Sequence, residues 1–445
     1  MEIRVRIAPA PTGFLHLGTA RTALFNWLFA RQNKGKFVLR VEDTDRERSQ
    51  PEFEKDILEG LDWLGLNWDE GPYRQSERTA IYEKYIKKLL ADGPAYYCYC
   101  APEELEEERQ SMMTAGIAPK YSGKCRMRQE TAKTPQVIRF KTPEKIISFK
   151  DIIRGEISFD AAGFGDFVIA KNEKTPLYNL AAAIDDEEIK ISHVIRGEDH
   201  IVNTPKQILI QEALKFNRPR YAHLPLILNP QRAKLSKRYA ATSVAEYKTA
   251  GYLPETMINF LALLGWHPRE EKEILSRDQL LKEFSLERVQ RAGAVFNQEK
   301  LNWLNGQYLK KLTIEELLDK LNLEPNEKNK KAVLLVRDRL KTLADFGPLT
   351  NFIYKLPDYP AELLIWKESG PKLTLKNMEL IREAVANGQN MMALAEKEGR
   401  GEILWPLRAA LSGQKGSPGP LEIMEVIGKE ETLKRIDIAI KKLRI

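Results

Sequence analysis

Two segments carry residue types suited to phosphate chemistry: His16-Leu17-Gly18-Thr19 near the start and Lys234-Leu235-Ser236-Lys237-Arg238 in mid-chain. In the first, an imidazole stands just before a run in which Leu24, Phe25, Leu28 and Phe29 recur at helical spacing. A helix N-terminus attracts anions through its free amide groups. A histidine placed there can donate a hydrogen bond to a phosphate oxygen as charge builds on it, and Gly18 leaves the backbone open to close approach. In the second segment Lys234, Lys237 and Arg238 can neutralise a triphosphate, and mobile ammonium groups can follow the charge that develops on a leaving pyrophosphate. Taken singly, a turn histidine and a solvated basic loop are the better readings. Their occurrence together points to chemistry on ATP.

The elements around them agree. Residues 2–8 alternate charged and apolar side chains, the period of a strand, and Pro9, Pro11 and Gly13 end it. A second strand over 36–41 runs into Glu42-Asp43-Thr44-Asp45, and a third over 191–195 runs into Arg196-Gly197-Glu198-Asp199-His200. An apolar, strand-like run over 221–228 precedes the basic loop, and a helix follows from near Thr242. Charged residues gathered where several strands finish are what the carboxyl edge of an open parallel sheet provides, and ligands bind at that edge. A helix over 81–90 closes the first half near residue 95. The following segment is helical over 102–113 and strand-like over 136–140 and 156–169, and the sheet resumes near Leu177. Beyond residue 241 strand signals fade and helical periods such as 314–323 and 332–343 take over, punctuated by Gly370-Pro371 and Ser417-Pro418-Gly419-Pro420.

The 445 residues suffice for several domains, and no apolar run reaches membrane-spanning length. Basic residues exceed acidic ones, 70 to 63, a net charge of +7 that suits a polyanion such as RNA but is too small to argue for one alone. All three cysteines, Cys98, Cys100 and Cys125, fall in the segment between the two sheet halves. Their Cys-x-Cys spacing suits a metal, although structural zinc takes four ligands; three reduced thiols are the other reading.

The ordered set of stretches 8–27, 40–48 with its Glu-Asp-Thr-Asp, Gly71-Pro72-Tyr73-Arg74-Gln75-Ser76-Glu77-Arg78, 192–206, 223–242, 262–266 and 407–433 resembles the class I aminoacyl-tRNA synthetases, specifically the bacterial-type glutamyl-tRNA synthetases. The resemblance implies an α/β fold: a Rossmann-like parallel-sheet catalytic domain split by an insertion, followed by an all-helical C-terminal anticodon-binding region. It implies catalytic halves at 1–95 and 176–240, an insertion at 96–175 that holds the tRNA acceptor end, a stem-contact domain at 241–315 and the anticodon-binding domain at 316–445. The ligands it implies are ATP with Mg2+, L-glutamate and glutamate tRNA, in a cytoplasmic monomer with no membrane association.

The same resemblance assigns His16, Lys234 and Lys237 to catalysis, and Thr12, Gly18, Thr19, Asp199 and Ser236 with them to ATP. Arg6, Ala8, Glu42, Tyr178 and Arg196 match the amino-acid pocket. Glutamate brings two carboxylates and an ammonium, so two guanidinium groups and one carboxylate are expected to meet it. Arg196 then takes the side-chain carboxylate, Glu42 the ammonium and Arg6 whichever carboxylate it reaches; an exposed strand charge pair is the alternative for Arg6 and Glu42. Ala10 and Ala182 stand where relatives often carry serine and asparagine. Tyr121, four residues before Cys125, matches a tyrosine that ligates zinc in the related glutamyl-queuosine enzymes, while Met127 stands where some members have a histidine ligand. Three other functions share parts of this pattern: a glutamyl-queuosine tRNA synthetase, an RNA-independent nucleotidyltransferase, and a tRNA-binding paralogue without catalysis. The helical C-terminal half argues against the first two, and the intact His16, Gly18, Lys234 and Lys237 against the third.

Overall fold

The computed structural model describes residues 2–127, 134–235, 243–367 and 369–444. They form two compact units, Met1–Lys248 with Pro254–Gln298, and Thr249–Leu253 with Glu299–Ile445.

The first unit is built on parallel strands. β1 (Arg4–Ile7) is followed by helix α1 (Leu17–Gln32), β2 (Lys36–Val41), α2 (Pro51–Trp63), β3 (Glu70–Arg74) and α3 (Thr79–Ala91). β1, β2 and β3 pair in parallel in that order. The near-continuous apolar run of β2 reflects its place between two covered faces, with Phe37 to Val41 all buried. The chain then leaves this sheet for β4 (Ala95–Cys98), α4 (Pro102–Thr114), β5 (Val137–Phe140), β6 (Ile146–Asp151), β7 (Gly155–Asp160), β8 (Val168–Asn172) and β9 (Thr175–Pro176). Four of these form an antiparallel sheet in the order β4-β5-β8-β9. Helix α5 (Tyr178–Glu188), β10 (His193–Gly197), α6 (Thr204–Leu214) and β11 (Arg220–Leu224) return to the catalytic sheet.

β10 lies beside β1: the Ser192 amide donates to the Arg4 carbonyl at 2.9 Å, and the Arg4 amide donates to Ser192 Oγ at 2.8 Å. The order across the unit is therefore β3-β2-β1-β10-β11, with the direction of winding reversing between β1 and β10, the place where doubly wound sheets bind ligands. β6 extends this sheet by pairing in parallel with β11, Tyr221 opposite Asp151, and β7 pairs antiparallel with β6, so two strands of the insertion belong to the catalytic sheet.

The strand reading of 221–228 fails at Pro225, which has no N–H to donate; β11 ends at Leu224, and a separate β12 (Ile227–Leu228) pairs with β13 (Ala294–Val295). Likewise 156–169 is two strands, β7 and β8, separated by a 3-10 turn at Ala161–Phe164 and by Gly165 in the left-handed region at φ 59°. The strand expected over 191–195 starts at His193 and continues to Gly197. In the second unit the helix expected over 332–343 instead spans Glu327–Val336, because the Asn326 side chain caps its start by accepting from the Asn329 amide. This unit is helical throughout, with Ile314–Lys320, Gly370–Ala386, Arg400–Ser412 and Pro420–Leu443 among its helices, packed on a core that includes Val333, Phe352, Met378, Leu407 and Ile436. Among the described residues no helix is long and apolar enough to cross a membrane.

Candidate active site

His16 caps α1. Its Nδ1 accepts from the Thr19 amide at 3.2 Å, and its Nε2 lies 2.9 Å from Thr19 Oγ1. A Cβ on Gly18 would sit 3.1 Å from the imidazole, so the glycine lets the ring fold back over the helix start. The ring is exposed, yet the surrounding protein desolvates it enough to lower its pKa; the charge of Lys234 adds to that effect, and Asp199 opposes it. His16, Lys234 and Asp199 thus share one electrostatic environment. The basic loop is anchored at both described ends: Leu228 bridges Lys234, the Leu235 amide donates to the Ile227 carbonyl, and Ser243 forms a bridge with His16. Ser236, Lys237 and Arg238 lie outside the described residues. Thr12 and Asp199 are exposed, and Gly18 and Thr19 are half-buried. A Cβ on Gly197 would meet Asp199 Oδ1 at 2.4 Å, so that glycine makes room for the carboxylate.

Deeper in the unit, Arg6 at the end of β1 and Arg40 in β2 converge on one carboxylate. Asp186 Oδ1 accepts from Arg40 Nη1 at 2.7 Å and from Arg6 Nε at 3.1 Å. Arg40 Nη2 also donates to Glu42 Oε1 at 2.9 Å, and its Nε lies 3.8 Å from Asp185 Oδ2. Asp185 in turn accepts from Arg78 Nε at 2.7 Å, Gln75 Nε2 at 2.8 Å and the Tyr82 hydroxyl at 2.9 Å. Arg6 and Glu42 are therefore no exposed strand pair but members of a buried network in which Arg6, Arg40 and Arg78 face Glu42, Asp185 and Asp186. Burial raises the pKa of Glu42 against the pull of Arg40 and Arg6. Asp186 shows the opposite outcome: burial works against its charge, but Arg6 and Arg40 hold its carboxyl below the usual range. Ala8 is half-buried just beyond Arg6, Ala10 is exposed, and Ala182 is buried inside α5.

Arg196 is the penultimate residue of β10 and is only 5% exposed. Its Nε donates to His223 Nε2 at 3.2 Å, its Nη2 to Thr204 Oγ1 at 2.8 Å and its Nη1 to the Tyr178 hydroxyl at 3.4 Å. Every one of these acceptors is uncharged. Among the described residues no carboxylate pairs with Arg196, in contrast to Arg6 and Arg40. The Tyr178 hydroxyl also meets His200 Nδ1 at 2.9 Å, and the charges of Arg196, Glu42 and Arg6 all bear on Tyr178. An unneutralised buried guanidinium beside a neutralised acid–base cluster is suited to receive an anionic group on a small zwitterion.

Sequence reasoning did not single out Arg40, Asp151, Asp185, Asp186, Thr204 or His223. A charge inside the apolar run Phe37-Val38-Leu39-Arg40-Val41 was the available signal for Arg40.

In the insertion, Cys98, Cys100 and Cys125 are buried, and their sulfurs lie within 4.8 Å of one another. Cys100 and Cys125 sulfurs are 3.3 Å apart, and the Tyr121 oxygen is 3.4 Å from Cys100 and 3.6 Å from Cys98. Burial pushes Cys100 up to about 12. Burial also works against ionisation of Cys125, but hydrogen bonds from the Tyr121 hydroxyl and the Tyr99 backbone draw it down to about 7. A tetrahedral zinc with bonds of about 2.3 Å needs ligand atoms about 3.8 Å apart, a spacing this donor set is close to.

Comparison with known proteins places this geometry. Residues 2–303 match the family described as tRNA synthetases class I (E and Q), catalytic domain, and residues 299–440 match an anticodon binding domain. The glutamate–tRNA ligase of Thermodesulfovibrio yellowstonii is 45% identical, with 98% of each chain covered. Glutamate–tRNA ligase 2 of Thermoanaerobacter pseudethanolicus is 44% identical over 99% of this chain and 98% of its own. Among solved structures, a glutamate tRNA ligase from Elizabethkingia meningosepticum in complex with its amino acid superposes with a TM-score of 0.87 at 37% identity, covering 100% of both chains. With a parallel-sheet catalytic unit followed by a helical anticodon-binding unit, this chain belongs to the class I tRNA synthetases of the glutamate and glutamine group.

Proposed function

We infer that this chain is a glutamate–tRNA ligase, which joins L-glutamate to the 3′ end of glutamate tRNA through a glutamyl-adenylate. The observation that carries the choice of amino acid is Arg196, a buried guanidinium held by neutral acceptors alone. Such a group favours a side chain that brings its own negative charge; glutamine, whose amide is neutral, would leave the charge uncompensated. Glu42 then meets the substrate ammonium, and Arg6, oriented through its Nε by Asp186, directs its other nitrogens to a carboxylate. Ala8 and Tyr178 complete the pocket wall.

The α-carboxylate oxygen attacks the α-phosphorus of ATP, the bond to the bridging oxygen breaks, and pyrophosphate leaves with the electron pair. A terminal tRNA hydroxyl then attacks the acyl carbon and releases AMP. No protein nucleophile is required. His16, Lys234 and Lys237 stabilise charge on the phosphates, with Thr12, Gly18, Thr19, Asp199 and Ser236 around the nucleotide. Magnesium, when bound with ATP, supplies further neutralisation of the triphosphate.

Cys98, Cys100, Tyr121 and Cys125 would hold a structural zinc, a reading supported by their spacing. The proposed division into catalytic halves, acceptor-end insertion, stem-contact and anticodon-binding segments follows from the same assignment, as do a cytoplasmic location and a monomer, which light scattering of the purified protein would check.

The test of the central reading is pyrophosphate exchange with glutamate, glutamine and aspartate, in the presence and absence of glutamate tRNA, for the wild type and Arg196→Gln. Glutamate alone should support exchange in the wild type, and Arg196→Gln should lose it while ATP binding persists. A variant that keeps full preference for glutamate removes Arg196 from the role.

A further inference from the structure

An arginine that must greet a substrate carboxylate poses a problem of its own. Held by a carboxylate, it is oriented but already neutralised; left alone, it is charged but free to wander among rotamers. Arg196 is held in a third way. On β11, His223 is the register partner of Arg196, so adjacent strands place the two side chains side by side. At the end of β6, Asp151 Oδ2 lies 2.7 Å from His223 Nδ1, and both side chains are fully buried. Asp151 Oδ1 is occupied by the Ile153 and Arg154 amides, each at 2.9 Å, which fix the carboxylate in place. Since Nδ1 faces a carboxylate, it carries the hydrogen, and Nε2 is left as the lone pair that accepts from Arg196 Nε at 3.2 Å. Burial lowers the pKa of His223 to about 4, so the ring is neutral at physiological pH.

We propose that Asp151 and His223 are positioning residues for amino-acid recognition: Asp151 fixes the imidazole, and the imidazole fixes the Nε edge of Arg196 without cancelling its charge, so the Nη1 side faces the substrate carboxylate at full charge. Asp151 lies one imidazole away from Arg196 and orients it without taking its donors. The inference rests on Arg196 being the receptor for the substrate side-chain carboxylate, as argued above.

Three substitutions at His223 separate this role from mere packing. His223→Gln keeps a neutral acceptor, His223→Leu removes the acceptor, and His223→Glu brings a carboxylate directly against the guanidinium. Aminoacylation would be measured at saturating ATP and glutamate tRNA with varied glutamate, and exchange with glutamine in parallel, alongside melting curves and the KM for ATP. His223→Leu should raise the KM for glutamate about 10- to 100-fold with little change in kcat or in the KM for ATP, and His223→Gln should return to within about threefold of wild type. His223→Glu should be worse than His223→Leu and should erode the preference for glutamate over glutamine, because it neutralises Arg196 without emptying the site. If His223→Leu fails to fold, the ordering of His223→Gln and His223→Glu still decides. Equal KM values for glutamate in those two would overturn the proposal, as would a folded His223→Leu with wild-type KM. Arg196→Gln distinguishes the two levels of failure. Retained glutamate preference there sinks the receptor reading itself, whereas lost preference combined with indifferent His223 variants sinks only the positioning role.

Discussion

Replacing Asp186 by asparagine keeps the shape of the side chain and deletes the charge on which two buried arginines converge. Asp186 is 5% exposed at its side chain and Arg40 is fully enclosed, so water cannot substitute for the lost carboxylate. Arg40 keeps Glu42 at 2.9 Å, but Arg6 has no other ion-pair partner among the described residues. In the wild type three guanidiniums face three carboxylates; in Asp186→Asn three face two. Removing one partner of a buried pair costs about 3–5 kcal/mol, and because Arg40 retains Glu42 the low end, about 3 kcal/mol, is expected. For a unit of this size that corresponds to a fall of roughly 5–10 °C in melting temperature. The KM for glutamate should rise as well, since Arg6 loses the contact that aims it. Arg40→Met in the same background restores the balance at two against two, so the double variant should recover about 2 kcal/mol relative to the sum of the single costs. Thermal unfolding by circular dichroism of the wild type, both single variants and the double variant measures this coupling. Strictly additive losses, or an Asp186→Asn variant that melts like the wild type, would refute the reasoning.

Lys237→Ala should preserve tRNA binding and slow adenylate formation by about 10²- to 10³-fold, because an ammonium at the departing pyrophosphate acts mainly in the transition state; single-turnover activation measures it. Protein purified without chelators should carry close to one zinc per chain, and Cys125→Ser should lower both the zinc content and the melting temperature; metal-free wild-type protein of unchanged stability would favour the plain-thiol reading. Stability should fall as pH drops from about 6.5 towards 4, since the unfolded chain binds a proton at His223 that the folded one refuses, at a rate of about 1.4 kcal/mol per pH unit for that group. His223→Gln should reduce the slope across that window, while His200, also lowered to about 4 by burial and the charge of Arg196, keeps its own contribution; an unchanged slope would argue against a neutral buried imidazole.

Local periodicity made the first-half elements readable: β2 occupies the predicted residues 36–41, and α1 begins where the apolar spacing turns helical. It failed where a single residue overrides hydrophobicity, as Pro225 does inside 221–228 and Gly165 does near the end of 156–169. The strands at Ala95–Cys98 and Ile146–Asp151 went unread: the first is only four residues long, and the second buries only alternate residues, with Ser148 and Lys150 facing outward. In the site, the strand-end residues Arg6, Glu42 and Arg196 could be picked out because charge following an apolar run is a local signal. Their partners could not. Asp186 lies 180 residues from Arg6 and 146 from Arg40, and Asp151 lies 72 from His223. In sequence Asp185 and Asp186 look like the solvated end of a helix, and only the packing of α5 against the sheet turns them inward. Family resemblance supplied Tyr178, the further proposed ATP contacts Thr12, Thr19, Asp199 and Ser236, and the candidate zinc ligand Tyr121, none of which spacing alone distinguishes.

The seam at Ser192 has a consequence for how the molecule comes into being. Arg4 and Ser192 are joined by reciprocal hydrogen bonds across 188 residues, so the centre of the catalytic sheet closes only after the whole insertion has been synthesised. The antiparallel sheet β4-β5-β8-β9, by contrast, draws only on residues 95–176 and can form while its downstream partners are still in the ribosome. Until β10 emerges, β1 waits as an open edge with its amide and carbonyl groups unpaired on that side, the kind of surface that invites intermolecular pairing. The order of assembly is thereby set by connectivity: the inserted sheet first, the ligand-bearing joint last, with the nascent first half most exposed to aggregation in the interval between them.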